Sequence, residues 1–195
     1  MPDDPSILPK LLVLMVLILV NAFFAAAEIA VISLSETKLK KQAEEGDKKA
    51  KKLLALTQAP DHFLSAIQIA ITLAGFLSSA FAADSFSGPL VHWLVARGVT
   101  QIPAGTLNTI TVIIITIILS YFSLVLGELV PKRIAMKKTE AVARMTVGPV
   151  CVIATVCRPI IWLLSKSTNG VLRLLHIAPK ADEEEVSEDE IRMKV

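Results

Sequence analysis

The chain has few aromatic residues and few cysteines, and it lacks the motifs of soluble enzymes. Aromatics make up 5% of the sequence, and the two cysteines, Cys151 and Cys157, lie in one apolar segment with no histidine pair beside them. We therefore expect buried thiols rather than a disulfide or a metal-binding site. The sequence contains no P-loop, no dinucleotide-binding fingerprint, no Ser-His-Asp candidate and no metal-spaced Cys/His set. These absences predict that the protein is not an enzyme.

Charge is missing from three long runs, and these runs predict an all-α membrane protein. The sequence is 53% hydrophobic and has a mean hydropathy of +0.62, whereas soluble domains are roughly 45–50% apolar. A bilayer core about 30 Å thick requires about 20 helical residues. We expect three transmembrane helices at about 8–35, 62–83 and 106–129, within a transport domain over 1–178. The net charge of +2 gives no basic field for nucleic acid, so the expected surroundings are membrane lipid.

Lysine clusters predict how the chain is oriented. Seven lysines fall within 36–59, among apolar residues at helical spacing. This pattern is typical of an amphipathic helix at about 37–57, or of a pair broken at Gly46-Asp47, on the membrane surface. A second cationic cluster follows Pro131. By the positive-inside rule both clusters are cytoplasmic, which places the amino terminus outside and the carboxy terminus inside a cell (inner or plasma) membrane.

The stretch after the second run carries turn signals and few cations. Residues 84–105 contain Gly88-Pro89 and, further on, Trp93, which suits a membrane interface. We expect a short extracytoplasmic connection with a surface helix around Leu90–Ala96.

The last apolar segment is ambiguous. Pro149 and the Arg158-Pro159 pair fall within 147–164 and argue against a clean span. We prefer a kinked juxtamembrane belt helix at about 140–175, with a fourth crossing as the alternative. Residues 179–195 are strongly acidic and predict the start of a cytoplasmic helical linker.

Each predicted span carries polar or small residues on one helical face. In the first, Asn21 and Glu28 lie seven residues apart, with Ala25 between them. The other two stripes follow the helical period and consist of Gln68, Thr72, Gly75 and Ser79, and of Thr109, Thr116, Ser120, Ser123 and Gly127. Close helix packing explains each stripe alone. Three stripes with two intramembrane carboxylates predict a shared polar cavity.

Glu128 is the most informative residue at the end of the third predicted span, although it would lie off the polar stripe in a regular helix. It follows Ser123 by five residues. A single π turn, with its i→i+5 bonding, would bring Glu128 onto the Ser123 face, and Pro131 is a reason for such a turn because it has no amide hydrogen. The alternative for Glu128 is a helix-end carboxylate paired with Lys132, and the alternative for Glu28 is a structural partner of a neighbouring polar group.

The ligands that this cavity offers are all oxygens. Carboxylate, amide, hydroxyl and backbone carbonyl groups suit hard cations such as Mg²⁺, Ca²⁺ or Na⁺ rather than zinc or copper. Glu128 would supply the charge that offsets dehydration of the ion. Gly75 and Gly127 would permit a close approach of the backbone.

Three motifs resemble the transmembrane domain of the CorC/cyclin M family of magnesium transporters. They read NAFFAAAEIA over 21–30, QIAITLAG over 68–75 and LGELVPK over 126–132. The resemblance implies a homodimer with three spans per subunit, and cytoplasmic CBS domains that bind nucleotide beyond the acidic linker, outside this chain. It also implies Mg²⁺ transport, associated with export and with Na⁺ exchange in some members.

Carried over by position, the resemblance favours Glu128, Asn21, Glu28, Gln68 and Thr72 as cation ligands. Position 25 is alanine here, whereas many relatives have a hydroxyl there. The resemblance therefore implies that another group replaces that ligand, and the candidates are Ser33, Ser78, Ser79 or a backbone carbonyl. The predicted function is magnesium transport, and the alternative is a magnesium sensor that does not transport.

Overall fold

The structure, a computed structural model, describes residues 7–58, 60–99 and 102–175, and within them all regular secondary structure is helical. The helices are α1 (Ile7–Ile32), α2 (Glu36–Glu44), α3 (Lys48–Gln58), α4 (Pro60–Ala96), α5 (Ala104–Leu124), a π segment (Val125–Leu129), α6 (Val130–Lys137), α7 (Thr139–Val156) and α8 (Arg158–Leu174). The predicted acidic linker at 179–195 lies outside the described residues.

Four of these helical stretches are long and apolar enough to cross a membrane. They are Ile7–Ile32, Phe63–Ala96, Gly105–Lys137 and Thr139–Val156. Large apolar side chains such as Leu12, Leu19 and Ile117 are exposed on them, as expected of surfaces that contact lipid. The prediction of an all-α membrane protein is confirmed, and the number of crossings stays a prediction.

Small residues allow α1 to lie at the centre of the helix assembly. Ala25, Ala27 and Ala30 are fully buried, and α1 packs against α4, the π segment and α6. Such small residues let helix backbones approach closely in a membrane. α4 also packs against α5, so α1 and α4 together hold the third long helix in place.

The second long helix continues beyond the predicted end of its span at residue 83. α4 is unbroken through Gly88 and Pro89 to Ala96, where the sequence predicts a connection over 84–105. Proline removes the donor for the carbonyl four residues earlier, which here belongs to Ser85. The ammonium of Lys10 in α1 donates to that carbonyl at 3.4 Å. A neighbouring helix thus compensates for the missing amide hydrogen.

The amphipathic region is a helical hairpin, which is the second of the two predicted forms. Gly46 has a φ of +97°, a left-handed conformation that ends α2 and that glycine adopts without strain. Asp47 then caps α3, because its Oδ1 accepts hydrogen bonds from the amides of Lys49 at 2.8 Å and Ala50 at 3.2 Å. The apolar side chain of Leu39 in α2 is buried.

The main apolar core lies where this hairpin meets the long helices. It includes Phe24 of α1, Leu53 of α3, Phe63 and Ile67 of α4, and Val147 of α7, all less than about a tenth exposed. The core fixes the carboxy-terminal half of α1, which carries the polar face with Asn21 and Glu28.

Five polar residues join the hairpin to the start of α7, and we call them the juxtamembrane network: Lys38, Gln42, Asp47, Glu140 and Arg144. Arg144 Nη1 pairs with Asp47 Oδ2 at 2.6 Å, and Nη2 donates to Gln42 Oε1 at 3.2 Å. Gln42 Nε2 donates to Glu140 Oε1 at 3.1 Å, and Lys38 pairs with Glu140 Oε2. The hairpin is therefore attached to the protein by charged hydrogen bonds as well as by its apolar face.

The chain divides into two compact units after Thr155, and α8 forms the described part of the second. The predicted belt helix over 140–175 is two helices, α7 and α8, which break at Cys157 immediately before Arg158-Pro159. Within α8, the ammonium of Lys166 lies 4.9 Å from the ring centre of Trp162. The preference for a belt helix over a fourth crossing at 147–164 stays a prediction.

Candidate cation site

The π turn predicted near Glu128 is present. Val125–Leu129 is π-helical, and the amide of Val130 donates to the carbonyl of Val125, five residues earlier. The segment lies between α5 and α6 and contacts α1. It carries Gly127 and Glu128, the second and third residues of the LGELVPK motif, and Gly127 contacts Asn21 on the polar side of α1.

Gly127 makes the closest backbone approach to α1. A Cβ on this residue would lie 3.0 Å from Asn21 Nδ2 and 3.4 Å from the carbonyl oxygen of Ile18. In a regular helix the Gly127 carbonyl would accept from the amide of residue 131, but Pro131 has no amide hydrogen. Asn21 Nδ2 donates to this carbonyl at 3.2 Å instead. The close backbone approach expected at Gly127 is thus present, and its carbonyl faces α1.

The side-chain oxygen of Asn21, Oδ1, has no hydrogen-bond donor among the described residues. Asn21 is 6% exposed, and its Oδ1 is buried and unpaired there. An unsatisfied buried acceptor costs about 1–3 kcal/mol, and such groups call for a specific explanation. A bound cation is one partner that would satisfy this oxygen.

The two carboxylates predicted to lie in the membrane contact the same lysine, and we call this group the Glu28–Lys132–Glu128 cluster. Lys132 Nζ lies 2.9 Å from Glu128 Oε1 and 3.2 Å from Glu28 Oε2. All three side chains are partly buried, at 20% exposure for Glu28, 26% for Lys132 and 35% for Glu128. The alternative considered for Glu128, pairing with Lys132, is therefore present. The part that sequence reasoning missed is that Glu28 shares the same ammonium.

The remaining predicted site residues form no hydrogen bond with this group within the described ranges. Ser33 is exposed beyond the end of α1, and the exposed Gln68 donates to Thr72 within α4 at 3.5 Å. Ser78 is buried, and Ser79 and Ser123 are half-buried. In the described part of the chain, no hydrogen bond joins these side chains to Asn21 or to either carboxylate. The set nevertheless remains a prediction.

One expectation about the site is wrong, and the choice of possible cation ligands is narrower than expected. A Cβ on Gly75 would meet nothing within 4 Å, so the close backbone approach expected there is not made within the described residues. Nor do the described residues contain a group of three or more His, Cys, Asp or Glu side chains placed to hold a metal. Any cation bound here must draw on amide and backbone oxygens as well as carboxylates.

One groove of the described structure is apolar, unlike the polar cavity that the sequence predicts. A groove of about 680 Å³ lies between α1, α4 and α5 and ends at Leu126 of the π segment. Its lining is apolar, with residues such as Leu14, Ile18, Phe86 and Leu119. Apolar walls offer no ligand to a dehydrated cation, so the oxygen groups beside Gly127 are the better candidates.

Comparisons with known proteins agree with the motifs in these helices. The family model for the cyclin M transmembrane N-terminal domain (CNNM) matches residues 12–195. The UPF0053 protein sll0260 of Synechocystis is 36% identical over 95% of this chain, and YhdP of Bacillus subtilis is 30% identical over 94%. A protein of Haemophilus influenzae named polyamine export protein is 28% identical over 92%.

These relatives are longer than the chain. The matched regions cover 41% of sll0260, 41% of YhdP and 40% of the Haemophilus influenzae protein. The chain thus spans about two fifths of the length of the curated relatives it matches.

Proposed function

Since the chain belongs to the cyclin M transmembrane domain family and is a multi-pass membrane protein, we propose that it transports Mg²⁺ through a site formed by Glu128, Asn21 and the carbonyl of Gly127. The observation that carries this proposal is the buried Oδ1 of Asn21, which has no donor among the described residues. It lies on the amide that contacts the Gly127 carbonyl, next to the residue that bears the carboxylate. An amide oxygen, a carbonyl and a carboxylate are groups that Mg²⁺ binds.

The ligand count is compatible with Mg²⁺ if water completes the shell. Mg²⁺ requires about six oxygens at about 2.1 Å and usually retains several waters. The Gly127 carbonyl has two lone pairs, so it can accept from Asn21 Nδ2 and still face a cation. Hydroxyls of the neighbouring stripes, such as those of Thr72 and Ser123, are further candidate ligands.

We propose export as the direction of transport. The lysine clusters predict that the end of the third long helix beyond Pro131 faces the cytoplasm, and Glu128 lies near that end. A site in this position would be loaded from the cytoplasm. The same proposal includes three further properties, which are supported by the family resemblance alone. They are coupling to Na⁺, a homodimeric assembly in the cell membrane, and nucleotide binding by CBS domains beyond this chain.

The test is Mg²⁺ binding and flux with Glu128→Gln. We expect saturable binding by the wild type in nanodiscs, and at least about 100-fold weaker binding by the variant. Loss of an outer-shell partner of a metal ligand already costs about 10–100-fold, and loss of a charged ligand should cost at least as much. Glu44→Gln, an exposed substitution on α2, is the matched control. Equal affinities for wild type and Glu128→Gln would sink the assignment.

Flux into proteoliposomes separates transport from sensing. Mg²⁺ transport by the wild type above the level of empty vesicles, reduced in Glu128→Gln, would support the transporter. Saturable binding without flux would instead favour the non-transporting sensor.

A polyamine is a second candidate cargo, and one observation favours it. Glu28 and Glu128 already hold a primary ammonium, that of Lys132, at 3.2 and 2.9 Å. A primary ammonium of a polyamine has the same hydrogen-bonding groups as lysine. Flux of labelled spermidine, with Mg²⁺ as competitor, tests this candidate in the same vesicles.

A further inference from the structure

We propose that Lys132 is a tethered counterion: its ammonium occupies the carboxylate pair in the cargo-free state and must leave it before a cargo cation binds. The inference rests on the proposed function, since it concerns the same carboxylates. It assigns Lys132 a role that lowers cargo affinity and completes cargo release.

The geometry of the pair carries the first step. Glu28 comes from α1 and Glu128 from the π segment, and the ammonium of Lys132 in α6 lies between them at 3.2 and 2.9 Å. Two like charges this close in a partly buried site repel each other. One ammonium compensates one of the two charges, which leaves the cluster with a net charge of −1.

Lys132 differs from the other cations of its neighbourhood. Arg133, Lys137 and Lys138 are exposed, and within the described ranges none of them forms an ion pair. Lys132 alone among these four is partly buried and contacts carboxylates on two helical elements. The position of the Lys132 ammonium is thus determined by its contacts with Glu28 and Glu128, unlike that of the exposed cations around it.

Simultaneous occupancy is electrostatically excluded. A divalent cation on Glu128 would place two further positive charges beside the ammonium, in a site screened less than bulk water. The lysine side chain has a flexible four-carbon stem, which allows the ammonium to withdraw to the polar surface. Its return supplies positive charge to Glu28 and Glu128 when the cargo leaves, so the emptied site retains a compensating charge.

The first experiment measures Mg²⁺ binding in nanodiscs by the wild type, Lys132→Met, Lys132→Arg and the control Lys137→Met. Without the competing ammonium, Lys132→Met should bind Mg²⁺ at least about tenfold more tightly, which is the effect of losing two partly exposed ion pairs. Lys132→Arg and Lys137→Met should remain within about threefold of the wild type, since both retain the charge in the cluster. Unchanged or weaker binding by a folded Lys132→Met would overturn the proposal.

The second experiment tests the ammonium site without using Mg²⁺. Lys132→Ala should lower the unfolding temperature, and n-propylammonium, which replaces the missing atoms, should restore it. Tetramethylammonium should not, because it has no N–H donor. The double variant Glu28→Gln/Lys132→Ala should lose less of the unfolding temperature than Lys132→Ala, since one of the repelling charges is gone, and it should gain less from the amine.

The two experiments separate the two proposals. Absence of Mg²⁺ binding in both wild type and Lys132→Met would sink the proposed cargo, and the amine experiment would then decide the role of Lys132. Restoration by propylammonium would support a site that a cation and Lys132 occupy in turn, and would favour an organic ammonium as cargo. No restoration would overturn the inference.

Discussion

Two groups of charged residues connect the helices of this protein, and they differ in how completely their charges are matched. In the juxtamembrane network, the carboxylates of Asp47 and Glu140 face two cations, Lys38 and Arg144. In the Glu28–Lys132–Glu128 cluster, two carboxylates share a single ammonium. The first group is balanced, and the second is short of one positive charge.

The difference indicates which group is structural and which exchanges partners. A fully paired network stabilises one arrangement, because removing any member leaves another unpaired. A group with a missing counter-charge, beside a buried amide oxygen that has no donor in the described part of the chain, is suited to exchange its ammonium for another cation. The hairpin of α2 and α3 should therefore respond to substitution mainly in stability, and the candidate site mainly in binding.

The largest effect is expected at the backbone contact of the site, from Gly127→Ala. The new Cβ would lie 3.0 Å from Asn21 Nδ2 and 3.4 Å from a backbone carbonyl, so α1 and the π segment would have to separate. We expect a loss of about 1–3 kcal/mol in the free energy of unfolding, as for other overpacked sites, together with weaker Mg²⁺ binding. Chemical denaturation and binding in the same detergent measure both.

Gly148→Ala in α7 is the matched control, because a Cβ there meets nothing within 4 Å. It should leave Mg²⁺ binding unchanged and raise stability by a few tenths to about 1 kcal/mol, the usual preference for alanine in a helix. Equal effects of the two substitutions would show that the approach of α1 to Gly127 has no special role.

An intermediate effect, on stability alone, is expected from Arg144→Met. The substitution removes the hydrogen bonds to Asp47 and Gln42, at 2.6 and 3.2 Å, and keeps most of the apolar stem. We expect a lower denaturation midpoint than that of the wild type, with a smaller shift than for Gly127→Ala, since the charged groups are partly exposed. Mg²⁺ affinity should stay within about twofold of the wild type, as the balanced group is not the site. A large loss of Mg²⁺ affinity would contradict this prediction and would indicate that the two groups act together in binding.

The smallest effect concerns pH and Asp47. The amide of Ala50 first, and then the Arg144 guanidinium, lower the pKa of Asp47 below its ordinary value of 3.8. A carboxylate with a lowered pKa in the folded state stabilises the fold fully above its unfolded pKa, and this contribution is lost as the pH falls through the folded pKa. The stability difference between wild type and Asp47→Asn should be present at about pH 7 and shrink below about pH 3.8. Thermal unfolding of both proteins across this range measures it, and a difference independent of pH would contradict the assignment.

Much of the site's architecture could be predicted from the spacing of a few residues. Ser123 and Glu128 are five apart and Pro131 follows, which predicted a π turn that the structure confirms. The freed Gly127 carbonyl follows from the same proline. The partner of that carbonyl, Asn21, could not be found by local rules, because it depends on how α1 packs against the π segment.

The continuation of α4 beyond residue 83 could not be predicted for the same physical reason. Gly88 and Pro89 usually end a helix when the chain is read alone. Here the carbonyl that Pro89 leaves unpaired accepts a hydrogen bond from Lys10, 75 residues away in sequence. Likewise, the contact between Lys132 and Glu28 joins helices that are far apart in the chain. Donors from another helix are invisible to a pattern that considers one helix at a time.

The π segment also sets the rotational phase of the helix that contains it. An α-helix turns about 100° per residue, and a π turn places one additional residue in the helix. Everything beyond Leu129 is therefore rotated by about 100° relative to an uninterrupted helix. This offset lets α5 present Ile113 and Ile117 to lipid while α6 turns Ala135 and Lys132 towards α1. One inserted residue thus gives a single continuous helix two differently oriented surfaces, one with exposed apolar side chains and one that contacts α1.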